Sequence, residues 1–171
     1  MTTPKLIVVT GVECAGKSTL CEALATFFSE PMVTETARAY LENQDGQYAY
    51  EDLEKIARLH LEYIKRERKQ ANHFLFIDTA FYVLKIWSEE RFGKCCPFIL
   101  NQLATLDVAA YILCAPIYPW VDDPLREHPN SLERNRLHLS YLEHISNERF
   151  CLIEGNKKER LDKAALFIQS L

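Results

Sequence analysis

A chain of 171 residues with 48% apolar side chains suits a single domain built around one sizeable core. Twenty basic against twenty-four acidic residues give a formal charge of −4, which argues against a general attraction to nucleic acid and favours a small-molecule partner. No charged and then apolar leader is present, and no apolar run approaches the roughly 20 residues that cross a bilayer, so a cytoplasmic protein without a membrane partner is expected.

The first apolar run, Leu6 to Val9, reads as a strand. It is followed by Gly11-Val12-Glu13-Cys14-Ala15-Gly16-Lys17-Ser18, an ungapped G-x-x-x-x-G-K-[ST], and by a helix expected over Lys17 to Ser29. That context marks a phosphate loop. Its glycines let the backbone curl until successive N–H groups point at phosphate oxygens, and the helix N-terminus faces the same anion. Gly11, Glu13, Cys14, Ala15, Gly16, Lys17, Ser18 and Thr19 are therefore the candidate ATP-binding residues. Lys17 reaches for the β- and γ-phosphates, and the Ser18 hydroxyl for Mg²⁺. Cys14, in a loop at a helix N-terminus, is either a reactive thiol or a small residue that fits.

A second strand, Met32 to Thr34, ends in Glu35, with Arg38 and Tyr40 following. At a strand end Glu35 can act as the base that takes the proton of an attacking hydroxyl, and Arg38 can hold substrate. The alternative is a Glu35–Arg38 pair on a helix surface. A helix is expected over Tyr50 to Lys69, with acids in its first turn. The strand Phe74 to Ile77 then runs into Asp78-Thr79, where Asp78 can hold Mg²⁺ through water or merely cap the next helix. Helices over Phe81 to Arg91 and Pro97 to Ala104 precede a strand at Ala109 to Cys114; Trp87 on the first of them is a further pocket candidate.

Residues 115–136 read as a flap. Pro116, Pro119 and Pro124 interrupt it, and it carries Trp120, Asp122-Asp123 and Arg126. Trp120 lies away from any apolar stripe and can stack on a flat ligand. Arg126, ahead of Arg134 and Arg136, is the first candidate to close on the transferring phosphoryl group and exclude water. Ser131 is expected to cap a helix to Ile145, followed by a strand at Phe150 to Ile153 and a helix over Lys158 to Ser170; the Asn156-Lys157 loop between them is expected near the nucleotide base. The six cysteines, Cys14, Cys21, Cys95, Cys96, Cys114 and Cys151, lack C-x-x-C spacing and read as free thiols. Strands alternating with helices predict an α/β protein of the P-loop NTPase fold: a parallel five-stranded sheet with helices on both faces.

The chain resembles the ribosylnicotinamide kinase domain of the bifunctional bacterial regulator of NAD synthesis, and the wider set of P-loop proteins named NadR-like ATPases or kinases. Four matches carry the resemblance: Gly11 to Thr19, Glu35 to Glu42, Phe76 to Thr79, and Trp120-Val121-Asp122-Asp123 with Leu125-Arg126. It implies a nucleoside-kinase-like fold with a lid and transfer of the ATP γ-phosphate to the 5′-hydroxyl of nicotinamide riboside. Asp122 and Asp123 then belong to the flap motif and Arg126 to the phosphate clamp; together with the reading of the residues above, Glu35, Arg38, Tyr40, Trp87, Trp120 and Asp122 are the candidate substrate-binding residues. The regulator's adenylyltransferase and DNA-binding parts have no counterpart in these matches, so those activities are not implied. Another nucleoside, a nucleotide or a sugar as acceptor, and an ATP-responsive regulatory ATPase, stay open, as does homo-oligomerisation.

Overall fold

The central strand is the most apolar. β1 (Lys5–Thr10) buries every residue from Leu6 onward, as a strand covered on both faces must. In the computed structural model, which describes residues 3–44 and 46–171, it lies in the middle of a five-stranded sheet of order β2-β3-β1-β4-β5, with every pairing parallel. The other strands are β2 (Met32–Val33), β3 (Phe74–Asp78), β4 (Val108–Cys114) and β5 (Phe150–Ile153). Register brings the carboxyl ends to one edge: Val9 pairs with Asp78 and Ile112, Val33 with Ile77, and Cys114 with Ile153. The expected α/β P-loop architecture is therefore the observed one.

Helices form where apolar spacing and caps agree. α1 (Lys17–Phe28) buries Leu20, Cys21, Leu24 and Ala25 on one face. α3 (Tyr50–Glu67) buries Leu53, Ile56, Ala57, His60 and Ile64, and Asp52 accepts the Ala49 N–H at 2.8 Å to close its first turn. α4 (Phe81–Phe92), α5 (Pro97–Thr105) and α7 (Lys157–Gln169) follow the expected spans to within two residues, as fraying ends allow. The Asn156 side chain caps α7 by accepting from Lys158 and Glu159.

Two details depart from expectation. α2 (Thr36–Glu42) is a seven-residue helix that was not expected, because two turns carry too little apolar repeat to register; tertiary bonds hold it, Thr36 Oγ1 to His60 Nδ1 at 2.7 Å and the Tyr40 hydroxyl to Asp52 at 2.8 Å. α6 (Ser131–His144) is capped by Asn130 and not by Ser131, since the Asn130 carboxamide accepts the Leu132 N–H at 2.8 Å. The irregular part of the flap accordingly ends at residue 130. All six cysteines are free thiols, and no helix among the described residues is long and apolar enough to cross a membrane.

Candidate active site

Backbone shape comes first at the phosphate loop. Gly11 takes φ 135°, and a methyl group there would fall 2.7 Å from the Cys114 carbonyl oxygen, so only glycine lets the loop leave β1 against β4. Gly16 takes φ 74° and Cys14 φ 56°. The Lys17 ammonium donates to the Val12 carbonyl at 2.8 Å, and Cys14 Sγ to the Val121 carbonyl at 3.8 Å, a first tie between loop and flap.

Asp78 sits behind this loop, 2% exposed, with its Oδ1 lacking any hydrogen-bond partner. Burial pushes its carboxyl up to about 6; the neighbouring Ser18 side chain and the Lys17 charge pull it down, and Glu35 pushes it further up. A buried carboxylate oxygen left unpaired beside a serine hydroxyl suits a hard cation, and Ser18 with Asp78 fits magnesium better than any isolated cap role. No group of three or more His, Cys, Asp or Glu side chains placed to hold a metal exists among the described residues.

A crevice of about 420 Å³ opens at the carboxyl edge of the sheet. Gly11, Glu13, Cys14, Gly16, Lys17, Ser18, Thr19, Glu35, Arg38, Trp87 and Arg126 all line it, so strand ends, phosphate loop, α4 and flap meet in one place. Other candidates lie elsewhere. Ala15 is buried inside the loop, and Asp78 lies beneath Ser18. Tyr40 turns to Asp52. Asp122 is exposed, and the flap acid on the crevice is its neighbour Asp123. Trp120 does not line the crevice; its ring stands within cation–π range of the Arg126 and Arg134 guanidinium groups, at 6.0 and 5.7 Å. Of the three flap-side arginines only Arg126 reaches the crevice, because Arg136 makes a bidentate pair with Glu90 and buried Arg134 donates to the Tyr118 carbonyl.

The flap is tied down from two sides. The Glu13 carboxylate accepts the backbone N–H groups of Glu127 (3.1 and 3.2 Å) and His128 (3.1 Å), while Arg38 donates to Asp123 at 2.9 Å. The Leu125 N–H, and after it the Arg38 guanidinium, hold the Asp123 carboxyl below its ordinary value against the effect of burial. Tyr48, which sequence reasoning passed over, forms the outer wall: it receives the Trp87 indole N–H at 2.8 Å and donates to Glu127 at 2.7 Å. Its only sequence signal was an aromatic following a polar, glycine-containing turn. Burial pushes its hydroxyl up to about 12, so it stays a donor.

A second cavity of about 640 Å³ lies on the other side of the loop, between α1, the flap and α7. Its wall includes Leu20, Ala23, Tyr118, Pro119, Lys157 and Arg160; of the Asn156-Lys157 pair only Lys157, the first residue of α7, borders it. Cys14, Gly16, Thr19 and Arg126 border both spaces.

A glycine-shaped phosphate loop between β1 and α1, with a buried acid at the end of the neighbouring strand β3 that keeps one oxygen unpaired, defines a P-loop nucleotide-binding protein. The family described as AAA domain (AAA_28) matches residues 6–160, and the chain belongs to that family. It is similar, at 32% identity over 134 residues, to the trifunctional NAD biosynthesis/regulator protein NadR of Escherichia coli (strain K12) and to that of Salmonella typhimurium (strain LT2); each match covers 76% of this chain and 33% of the relative. The chain thus spans about a third of the length of these curated relatives. Solved structures of NadR share the fold: one in complex with NR has a TM-score of 0.84 at 19% identity, and one with NAD and AMP-PNP has 0.74 at 16%. Both cover 98% of this chain, and it covers 51% and 50% of theirs.

Proposed function

We propose that the protein is an ATP-dependent kinase that transfers the γ-phosphate to the 5′-hydroxyl of nicotinamide riboside, giving nicotinamide mononucleotide, as one domain over residues 1–171 with a flap from residue 115. The observation that carries this reading is the single crevice shared by Lys17, Glu35 and Arg126, with a separate cavity on the far side of Gly16 for the nucleoside end of the donor. The relatives' part in NAD biosynthesis and the NR bound in a NadR structure support the acceptor, and the Trp87–Tyr48 wall offers flat apolar surface to a nicotinamide ring.

In this reading the acceptor hydroxyl lies beside Glu35, which takes its proton as the oxygen attacks. Lys17 moves from the Val12 carbonyl onto the phosphates, and Arg126 meets the charge developing on the transferred group. Ser18 and Asp78 would hold Mg²⁺, which when bound offsets charge on the β- and γ-phosphates. Arg38 fixes the flap through Asp123 and so keeps water from the reacting atoms.

The test is ADP release with and without acceptor, across nicotinamide riboside, common nucleosides, nucleoside monophosphates and sugars. Release that rises sharply with nicotinamide riboside alone is expected. Release at the same rate without any acceptor would instead mark a regulatory ATPase.

A further inference from the structure

Arg160 is a buried charge with no carboxylate paired to it among the described residues. It lies in the first turns of α7, 2% exposed, and neither Nε nor Nη2 has a hydrogen-bond partner among the described residues. Leaving a guanidinium in that condition is costly, and a fold keeps such a group when an anion arrives to meet it. Its surroundings point to where the anion comes. Arg160 lines the second cavity, whose wall also carries Arg126, Lys157 and Lys158 and no carboxylate. A methyl group built on Gly16 would stand 2.8 Å from Arg160 Nη1, so the guanidinium abuts the phosphate loop itself. The Tyr118 ring, 4.9 Å from the guanidinium carbon, closes over it from the flap.

Lys17 borders only the first crevice and Arg160 only the second, while Gly16 and Thr19 border both. A phosphate chain seated on the loop with its γ end toward Lys17 and Glu35 must therefore carry its nucleoside end past Gly16 toward Arg160. We propose that Arg160 is a nucleotide-binding residue that donates to the α-phosphate of ATP and ADP. This rests on the reading of the loop as a nucleoside-triphosphate site and adds the cation that holds the donor's nucleoside end.

The experiment compares wild type, Arg160→Met and Arg160→Lys by calorimetric binding of ATP and ADP with Mg²⁺ and no acceptor, and by melting without nucleotide. Arg160→Met is expected to weaken ATP and ADP equally, about 10- to 100-fold, and to melt no lower than wild type without nucleotide, since it removes a buried unpaired charge. Arg160→Lys keeps the charge without the fork and falls between. Wild-type affinity in Arg160→Met, or a nucleotide-free form that melts well below wild type or does not fold, overturns the proposal in favour of a structural arginine. Loss of ATP affinity with ADP unaffected overturns the α-phosphate assignment. A wild-type chain that binds ATP yet phosphorylates no acceptor defeats the kinase reading alone and leaves Arg160 standing.

Discussion

The proposed mechanism gives Lys17, Glu35 and Asp78 separable tasks, and single substitutions should separate them. Lys17→Ala is expected to lower acceptor phosphorylation by at least about 100-fold through lost phosphate stabilisation, measured as initial rate at saturating ATP. Glu35→Gln should cut turnover by a similar order yet leave ATP affinity within about twofold, because the base acts on the acceptor. Asp78 contributes in the opposite direction to stability. Its carboxyl is raised from 3.8 to about 6 by burial, so the folded protein gains from this group below pH 4 and loses that gain as pH climbs through about 6. Asp78→Asn should therefore raise stability at pH 7, on the order of 2 kcal/mol in urea titrations, while magnesium-dependent turnover collapses. The phosphate-loop residues were legible in the sequence because the loop is contiguous. Asp123 on Arg38 and Tyr48 on Glu127 were not, since each pairing spans about eighty residues and depends on how the flap lies down. Arg160 gave no sign at all: a lone arginine in a charged helical turn reads as solvated surface until Tyr118 is folded over it.

At the scale of elements, α2 and the flap matter most. α2 carries Glu35 at its N-cap and is braced by the Thr36–His60 bond to α3. Burial holds the His60 imidazole down to about 4 from 6.5, so its contribution is complete above pH 6.5 and is lost as pH falls through 4. That window is worth about 3 kcal/mol, and His60→Leu should flatten the stability slope between pH 6.5 and 4 in chemical denaturation, leaving the loss from half-buried His138, which burial also holds down, and the opposing gain from Asp78. The flap should depend on Glu13, whose carboxylate holds two of its backbone N–H groups. In Glu13→Ala, trypsin is expected to cut after Arg126 several-fold sooner than in wild type; equal rates would show that Arg38 and Asp123 hold the flap alone. Five strands and six of the seven helices could be read from apolar runs and turn residues. α2 could not, because its existence rests on tertiary bonds.

For the whole molecule, the strand order explains why distant residues share a site. With β1 central and β3 and β4 beside it, the chain crosses the sheet between β1 and β2 and again between β3 and β4, which leaves the phosphate loop, Glu35 and Asp78 on one carboxyl edge. The flap after β4 then lies over that edge, with one cavity on either side of the phosphate loop, which the proposed function assigns to acceptor and donor. The most direct test of this division of labour is mass spectrometry of the purified protein with ATP, Mg²⁺ and nicotinamide riboside. Nicotinamide mononucleotide forming in step with ADP is the result this account requires; ATP bound and nicotinamide riboside recovered unchanged would contradict it.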